Sequence, residues 1–125
     1  GEPAMYDCNS LVDTLHEAGY RVHVETSAAY PLQGGYDWVC ISPKKFKQPS
    51  AGEMGKAHEL KVIVFNDSDF EWAEQHAAKV ASDCVLYLQT EWEKQERFLP
   101  RIIDYLKRNK KWKISLQTHK YMQIP

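Results

Sequence analysis

Leu60-Lys61-Val62-Ile63-Val64-Phe65-Asn66-Asp67-Ser68 is the stretch that decides the fold class. Three consecutive β-branched residues between Leu60 and Phe65 read as a buried strand, and Asn66-Asp67 ends it. Ser68, with Glu71 three residues on, carries the signature of a capping box, so a helix bearing Phe70, Ala73, His76, Ala77 and Val80 follows. Cys84-Val85-Leu86-Tyr87-Leu88 is the next strand. Two strands joined by a helix must be parallel, with a right-handed crossover.

The same alternation extends in both directions. Upstream, Met5, Cys8, Leu11, Val12 and Leu15 recur at helical spacing, with Pro3 in the first turn and Gly19 at the left-handed position after the last. This helix feeds a strand over residues 21–25, where Val22 and Val24 alternate with polar residues. Pro31 and Gly34-Gly35 mark a loop before the short strand Trp38-Val39-Cys40-Ile41, and residues 43–55, rich in lysine and proline, form a loop at the rim. Downstream, Phe98, Leu99, Ile102, Ile103 and Leu106 make an apolar helical stripe, with Pro100 dividing a charged lead-in from the helix proper. The last strand is expected at 112–116. The expected fold is one α/β domain over residues 1–125. It has a parallel sheet with alternating helices, either a layer or an open, partial (β/α) barrel.

Composition excludes several classes of function. With 125 residues and 43% hydrophobic content, the chain suffices for one core of ordinary size. Sixteen basic against seventeen acidic residues give a net charge of −1, so no global field draws it to nucleic acid or an anionic membrane. No apolar run approaches the roughly 20 residues that span a bilayer, and a cytoplasmic setting is expected. Cys8, Cys40 and Cys84 are odd in number and widely spaced, which suits neither a disulfide framework nor a C-x-x-C metal site. His16, His23, His58 and His76 share no ligand spacing, so no zinc site is expected. The basic run Lys107, Arg108, Lys110, Lys111 and Lys113 reads as a solvated helix end, and Lys45, Lys47 and Lys56 as a solvated basic loop.

Polar residues gather where the apolar strands stop: Val24-Glu25-Thr26, Ile41-Ser42-Pro43-Lys44, Leu88-Gln89-Thr90 and Leu116-Gln117-Thr118-His119-Lys120. In parallel α/β sheets and barrels, ligands bind outside the carboxyl ends of the strands, where the loops converge. Glu2, Glu25, Ser42, Gln117 and His119 are therefore expected to face one mouth.

Taken with Gly1-Glu2-Pro3 and the closing Ser115-Leu116-Gln117-Thr118-His119-Lys120-Tyr121, which runs on to Pro125, these strings resemble the later part of a radical S-adenosylmethionine enzyme. Within that superfamily the chain is most similar to the 7-carboxy-7-deazaguanine synthase family of queuosine biosynthesis. The resemblance implies a partial barrel enzyme, a lyase that cleaves S-adenosylmethionine reductively at a [4Fe-4S] cluster. It also implies hydrogen abstraction from 6-carboxy-tetrahydropterin, a Mg²⁺-assisted ring contraction, a flavodoxin-like or ferredoxin reductant, and a homodimer. The cluster needs three cysteines in one tight loop. This chain has no such triplet, so residues 1–125 are expected to be a C-terminal portion that lacks the cluster region and is inactive alone.

Carried over residue by residue, the resemblance places the cosubstrate against Gly1, Glu2, Glu25, Thr26, Ser42, Lys44 and Gln89, and the pterin against Gln117, His119, Lys120 and Pro125. Plainer readings stand beside these: Glu2 as a first-turn acid, Glu25 and Thr26 as a capped strand end, His119 as a surface imidazole. Thr90 departs from the proline that commonly follows Gln89 in the family. Two other functions fit less of the sequence. One is a radical activase that installs a glycyl radical on a partner protein; the other is a non-catalytic α/β binding domain.

Overall fold

The computed structural model describes residues 1–124. Its centre is a five-stranded sheet of β1 (His23–Thr26), β2 (Trp38–Ile41), β3 (Glu59–Val64), β4 (Val85–Thr90) and β5 (Trp112–Ser115). All neighbours are parallel, in the order β1-β2-β3-β4-β5. Helix α1 (Asn9–Glu17) precedes β1, α2 (Ser68–Ala77) links β3 to β4, α3 (Gln95–Arg108) links β4 to β5, and the short α4 (Thr118–Tyr121) closes the described chain. Sequential parallel order with helical crossovers is how one wall of a barrel is built. Here the sheet stays open, with β1 at one edge and β5 at the other.

Alternation along β3 sorts its two faces. Leu60, Val62 and Val64 are fully buried, whereas Glu59, Lys61 and Ile63 are half-buried. The buried row joins Val24, Val39, Ile41, Leu86, Leu88 and Trp112 in one core, against Phe70, Trp72 and Ala73 of α2 and Phe98, Ile102 and Tyr105 of α3. Both crossover helices therefore cover the same face. The opposite face carries Glu25, Cys40, Glu59, Lys61, Tyr87 and Gln89 in register.

The expected α/β alternation is present, and four local readings are corrected. First, Pro3 and Met5 lie in a separate 3₁₀ turn, Pro3–Met5, and α1 begins only at Asn9; Met5 and Leu11 are exposed. Gly19 does take the left-handed position after α1 (φ 85°), with its N–H bonded to His16 O and the Tyr20 N–H to Leu15 O.

Second, no capping box forms at α2. The Ser68 hydroxyl donates to Asn66 Oδ1 at 2.6 Å. The buried Asp69 carboxylate instead reaches back over the turn and accepts from Phe65 N at 2.9 Å and Asn66 N at 3.0 Å. Third, Pro100 lies inside α3, because the charged lead-in is itself helical from Trp92 onward. Buried Phe98 and Ile102 hold the helix on either side of it.

Fourth, the rim lysines are partnered. Lys45 pairs with Asp69, Lys47 stands 3.5 Å over the Tyr30 ring, and Lys56 pairs with Glu53 at 2.9 Å. The loop after β2 is thereby tied to α2 and to the β1 loop. Strand bounds also shift: β1 runs to Thr26, and β4 runs on through Gln89 and Thr90, both buried.

Candidate functional site at the carboxyl ends of the first two strands

A cavity of about 560 Å³ opens where β1 and β2 end. Gly1, Glu2, Glu25, Thr26, Ser42 and Lys44 all line it, together with Pro3, Met5, Ser27, Ala29, Tyr30, Phe46 and Lys47. Its size falls within the range of small-molecule pockets, and its wall mixes apolar side chains with a few charges.

One side of the cavity is built by Glu2. Its Oε1 accepts from Ala4 N at 3.1 Å and Thr26 Oγ1 at 2.5 Å, and its Oε2 accepts from Ser27 N at 2.8 Å and from the Ser27 hydroxyl. Partial burial raises the carboxyl pKa, but the bonds from Ser27, Thr26 and Ala4 together outweigh it and hold the group below the ordinary value. An ionised carboxylate offers about four lone-pair sites, and four donors occupy them. Glu2 thus pins the N-terminal turn to the end of β1.

The other side is cationic. The Ser42 hydroxyl is buried at the end of β2 and accepts from Lys44 Nζ at 3.3 Å. Among the described residues no carboxylate lies within ion-pairing distance of Lys44. Glu25 projects from β1 onto the open sheet face and pairs with Lys61 Nζ at 2.7 Å. A hydroxyl and an ammonium on one wall, with a carboxylate opposite, suit a small zwitterion.

The remaining sequence-derived site residues lie elsewhere on the same rim. Gln89 lies outside the cavity wall, within β4, and its Oε1 accepts from Ser115 Oγ at 2.9 Å. Gln117, His119 and Lys120 follow β5, at the far edge of the sheet. Four strand spacings, roughly 19 Å, separate them from β1. Gln117 Oε1 is buried without a partner among the described residues, His119 is exposed, and Lys120 Nζ lies 5.2 Å over the Trp92 ring. Pro125 lies outside the described residues. Glu25 and His119 therefore share the carboxyl rim without sharing a cavity.

Sequence reasoning passed over Ser27, Tyr30, Phe46 and Lys61. Ser27 directly follows Glu25-Thr26 and could have been read as part of that strand end. Lys61 carried a clear signal too, as a lone lysine within an apolar strand.

The three cysteines do not gather. Among the described residues no group of three or more His, Cys, Asp or Glu side chains could hold a metal ion. Burial pushes the Cys40 thiol up to about 12 and the Cys84 thiol up to about 11, the opposite of what a thiolate ligand needs.

No protein-family model matches the chain. Curated relatives do. It is 51% identical over 125 residues to the 7-carboxy-7-deazaguanine synthase of Flavobacterium psychrophilum, a match covering 100% of this chain and 60% of that protein. It is 48% identical over 124 residues to the enzyme of that name from Synechocystis sp., covering 99% and 59% respectively. For the one from Burkholderia multivorans the identity is 34%, over 100% and 57%. Among solved structures, the crystal structure of QueE from Escherichia coli superposes with a TM-score of 0.79 at 27% identity, covering 94% of this chain and 54% of that one. The chain thus spans about three fifths of the length of the curated relatives it matches. The chain is similar in sequence along its whole length to 7-carboxy-7-deazaguanine synthases, and in fold over 94% of its length to QueE.

Proposed function

We propose that the protein containing these residues is a 7-carboxy-7-deazaguanine synthase of the radical S-adenosylmethionine type, contracting the ring of 6-carboxy-tetrahydropterin. The observation that carries this reading is the match of all 125 residues, at 51% identity, to a protein of that name. A [4Fe-4S] cluster would supply the electron that cleaves S-adenosylmethionine. Among the described residues no group of three or more His, Cys, Asp or Glu side chains could ligate the cluster, and the roles proposed for them are binding and orientation.

S-adenosylmethionine fits the cavity by its charges. Its carboxylate suits Ser42 and Lys44, whose ammonium lacks a carboxylate partner among the described residues. Its amine and sulfonium suit the side lined by Glu25 and Glu2. Because Glu2 is saturated by its own chain, it contributes negative charge, and the new hydrogen bond falls to Glu25. Thr26 and Gly1 shape the wall, and Gln89 offers its amide from β4. The pterin, with donors and acceptors on its ring edge, suits Gln117, His119 and Lys120 across the rim, where Gln117 Oε1 is buried without a donor among the described residues; the resemblance adds Pro125, which lies outside them.

The same reading brings a flavodoxin-like or ferredoxin reductant, a homodimer and a cytoplasmic setting. No helix among the described residues is long and apolar enough to cross a membrane. The test is anaerobic reconstitution of the full-length protein, followed by incubation with S-adenosylmethionine, a reductant and 6-carboxy-tetrahydropterin. Formation of 7-carboxy-7-deazaguanine is expected. Cleavage of S-adenosylmethionine without any change in the pterin would overturn the substrate, and a glycyl radical raised on a partner protein would favour an activase.

A further inference from the structure

Lys61 lies on the face of the sheet that α2 and α3 leave open, at the centre of the middle strand, and its side chain is only 15% exposed. Its ammonium reaches across β2 to Glu25 Oε1 at 2.7 Å on β1. Continuing the β2–β3 register by one residue puts Ser42 level with Lys61, so the lysine side chain passes beside the two cavity residues on which the carboxylate and amine of a zwitterion would rest.

The row below is already satisfied without it. Glu59 accepts from Trp38 Nε1 at 3.1 Å and from Cys40 Sγ at 3.5 Å. Glu25 has no other side-chain partner among the described residues. Left unpaired, a Glu25 side chain 56% exposed at the rim would sample several rotamers, and its carboxylate would be free to swing to solvent.

We propose that Lys61 is a positioning residue for the cosubstrate. It holds the Glu25 carboxylate over the cavity mouth in one orientation, so that the amine of the incoming zwitterion meets a fixed acceptor. This inference rests on the function proposed above, with Glu25 on the cosubstrate side. Fixing the acceptor before binding removes an ordering cost from the association step, so the effect belongs in affinity rather than in turnover.

The experiment uses full-length, cluster-reconstituted protein. Binding of S-adenosylmethionine to the unreduced enzyme is measured by calorimetry, and KM and kcat are measured with the pterin. Lys61→Met should raise both the Kd and the KM for S-adenosylmethionine about tenfold while kcat stays within twofold. Lys61→Arg should recover most of the loss. Glu25→Gln should weaken binding to a similar degree, and the double variant Lys61→Met/Glu25→Gln should bind no worse than Glu25→Gln alone.

A Kd for Lys61→Met within twofold of the parent protein would overturn the proposal, as would additive losses in the double variant. A loss of kcat and melting temperature with unchanged Kd would also overturn it, by marking Lys61 as a packing residue. Should the parent protein bind S-adenosylmethionine but leave the pterin unchanged, the proposed synthase activity fails while the binding comparison still decides the role of Lys61.

Discussion

Glu2 shows how one carboxylate can be read two ways from sequence and resolved by its donors. Four hydrogen bonds tie it to Ala4, Thr26 and Ser27, so its first task is to fasten residues 1–5 against the end of β1. Its folded pKa lies below the ordinary carboxylate value. The stabilisation is therefore fully present above the unfolded pKa, near 4.3, and is lost as pH falls through the folded one. We expect the Ala4 and Ser27 amides to be protected from hydrogen exchange at pH 6 and to lose protection selectively in acid. Glu2→Gln should show the same loss at neutral pH, worth about 1–3 kcal/mol locally.

His76 behaves differently at the same scale. It is 2% exposed, with Nδ1 donating to Trp72 O at 2.8 Å and Nε2 buried without a partner among the described residues. Burial lowers its pKa, partly offset by the Trp72 carbonyl. The unfolded chain then binds the proton more readily, so stability is intact above about pH 6.5 and declines below it. Urea midpoints measured from pH 7.5 to 5 should fall, and His76→Phe should flatten that part of the profile. The role of Glu2 was half legible because the residue type and rim position were evident. The missing partner of His76 was invisible, since a histidine on a helical stripe says nothing of what meets its second nitrogen.

At the scale of elements, the β3–α2 junction carries the largest correction. The Ser68/Glu71 pattern satisfied the capping rule, yet Asp69 took the work because its carboxylate could bond two turn amides and Lys45 together. Pattern rules weigh residues within one element, whereas Lys45 arrives from the loop after β2, 24 positions earlier in sequence. The long-range partner decided the local structure. Asp69→Ala should strip both amides of their acceptor and leave the Lys45 ammonium against the Phe65 ring, 4.6 Å from its centroid. A loss of about 3 kcal/mol is expected by chemical denaturation. Pro100 offers the opposite sign. It is exposed inside α3 and cannot donate to the carbonyl four residues back, so Pro100→Ala should stabilise the protein by about 1 kcal/mol, net of the proline's restraint on the unfolded chain.

For the whole molecule, the parallel sheet and its order follow from strand–helix alternation, which the sequence displays with little ambiguity. The carboxyl rim as the place for ligands followed from that topology. What could not be read was how the rim divides. Only the sheet order shows that Glu25 and His119 stand at opposite edges, with the cavity confined to β1 and β2. The same order makes β1 an edge strand, paired on one side only, so its amides should exchange faster than those of Val62 and Val64 at the centre.

The cavity at the ends of β1 and β2 is the proposed seat of S-adenosylmethionine. Hydrogen exchange on the full-length, reconstituted protein, with and without S-adenosylmethionine, tests it most directly. Added protection is expected at residues 25–30 and 42–47, where Glu25, Thr26, Ser27, Ser42 and Lys44 line the wall. Protection confined to the groove between α2 and α3, at Asp67, Phe70, Arg101 and Arg108, with none at residues 25–30 or 42–47, would contradict it.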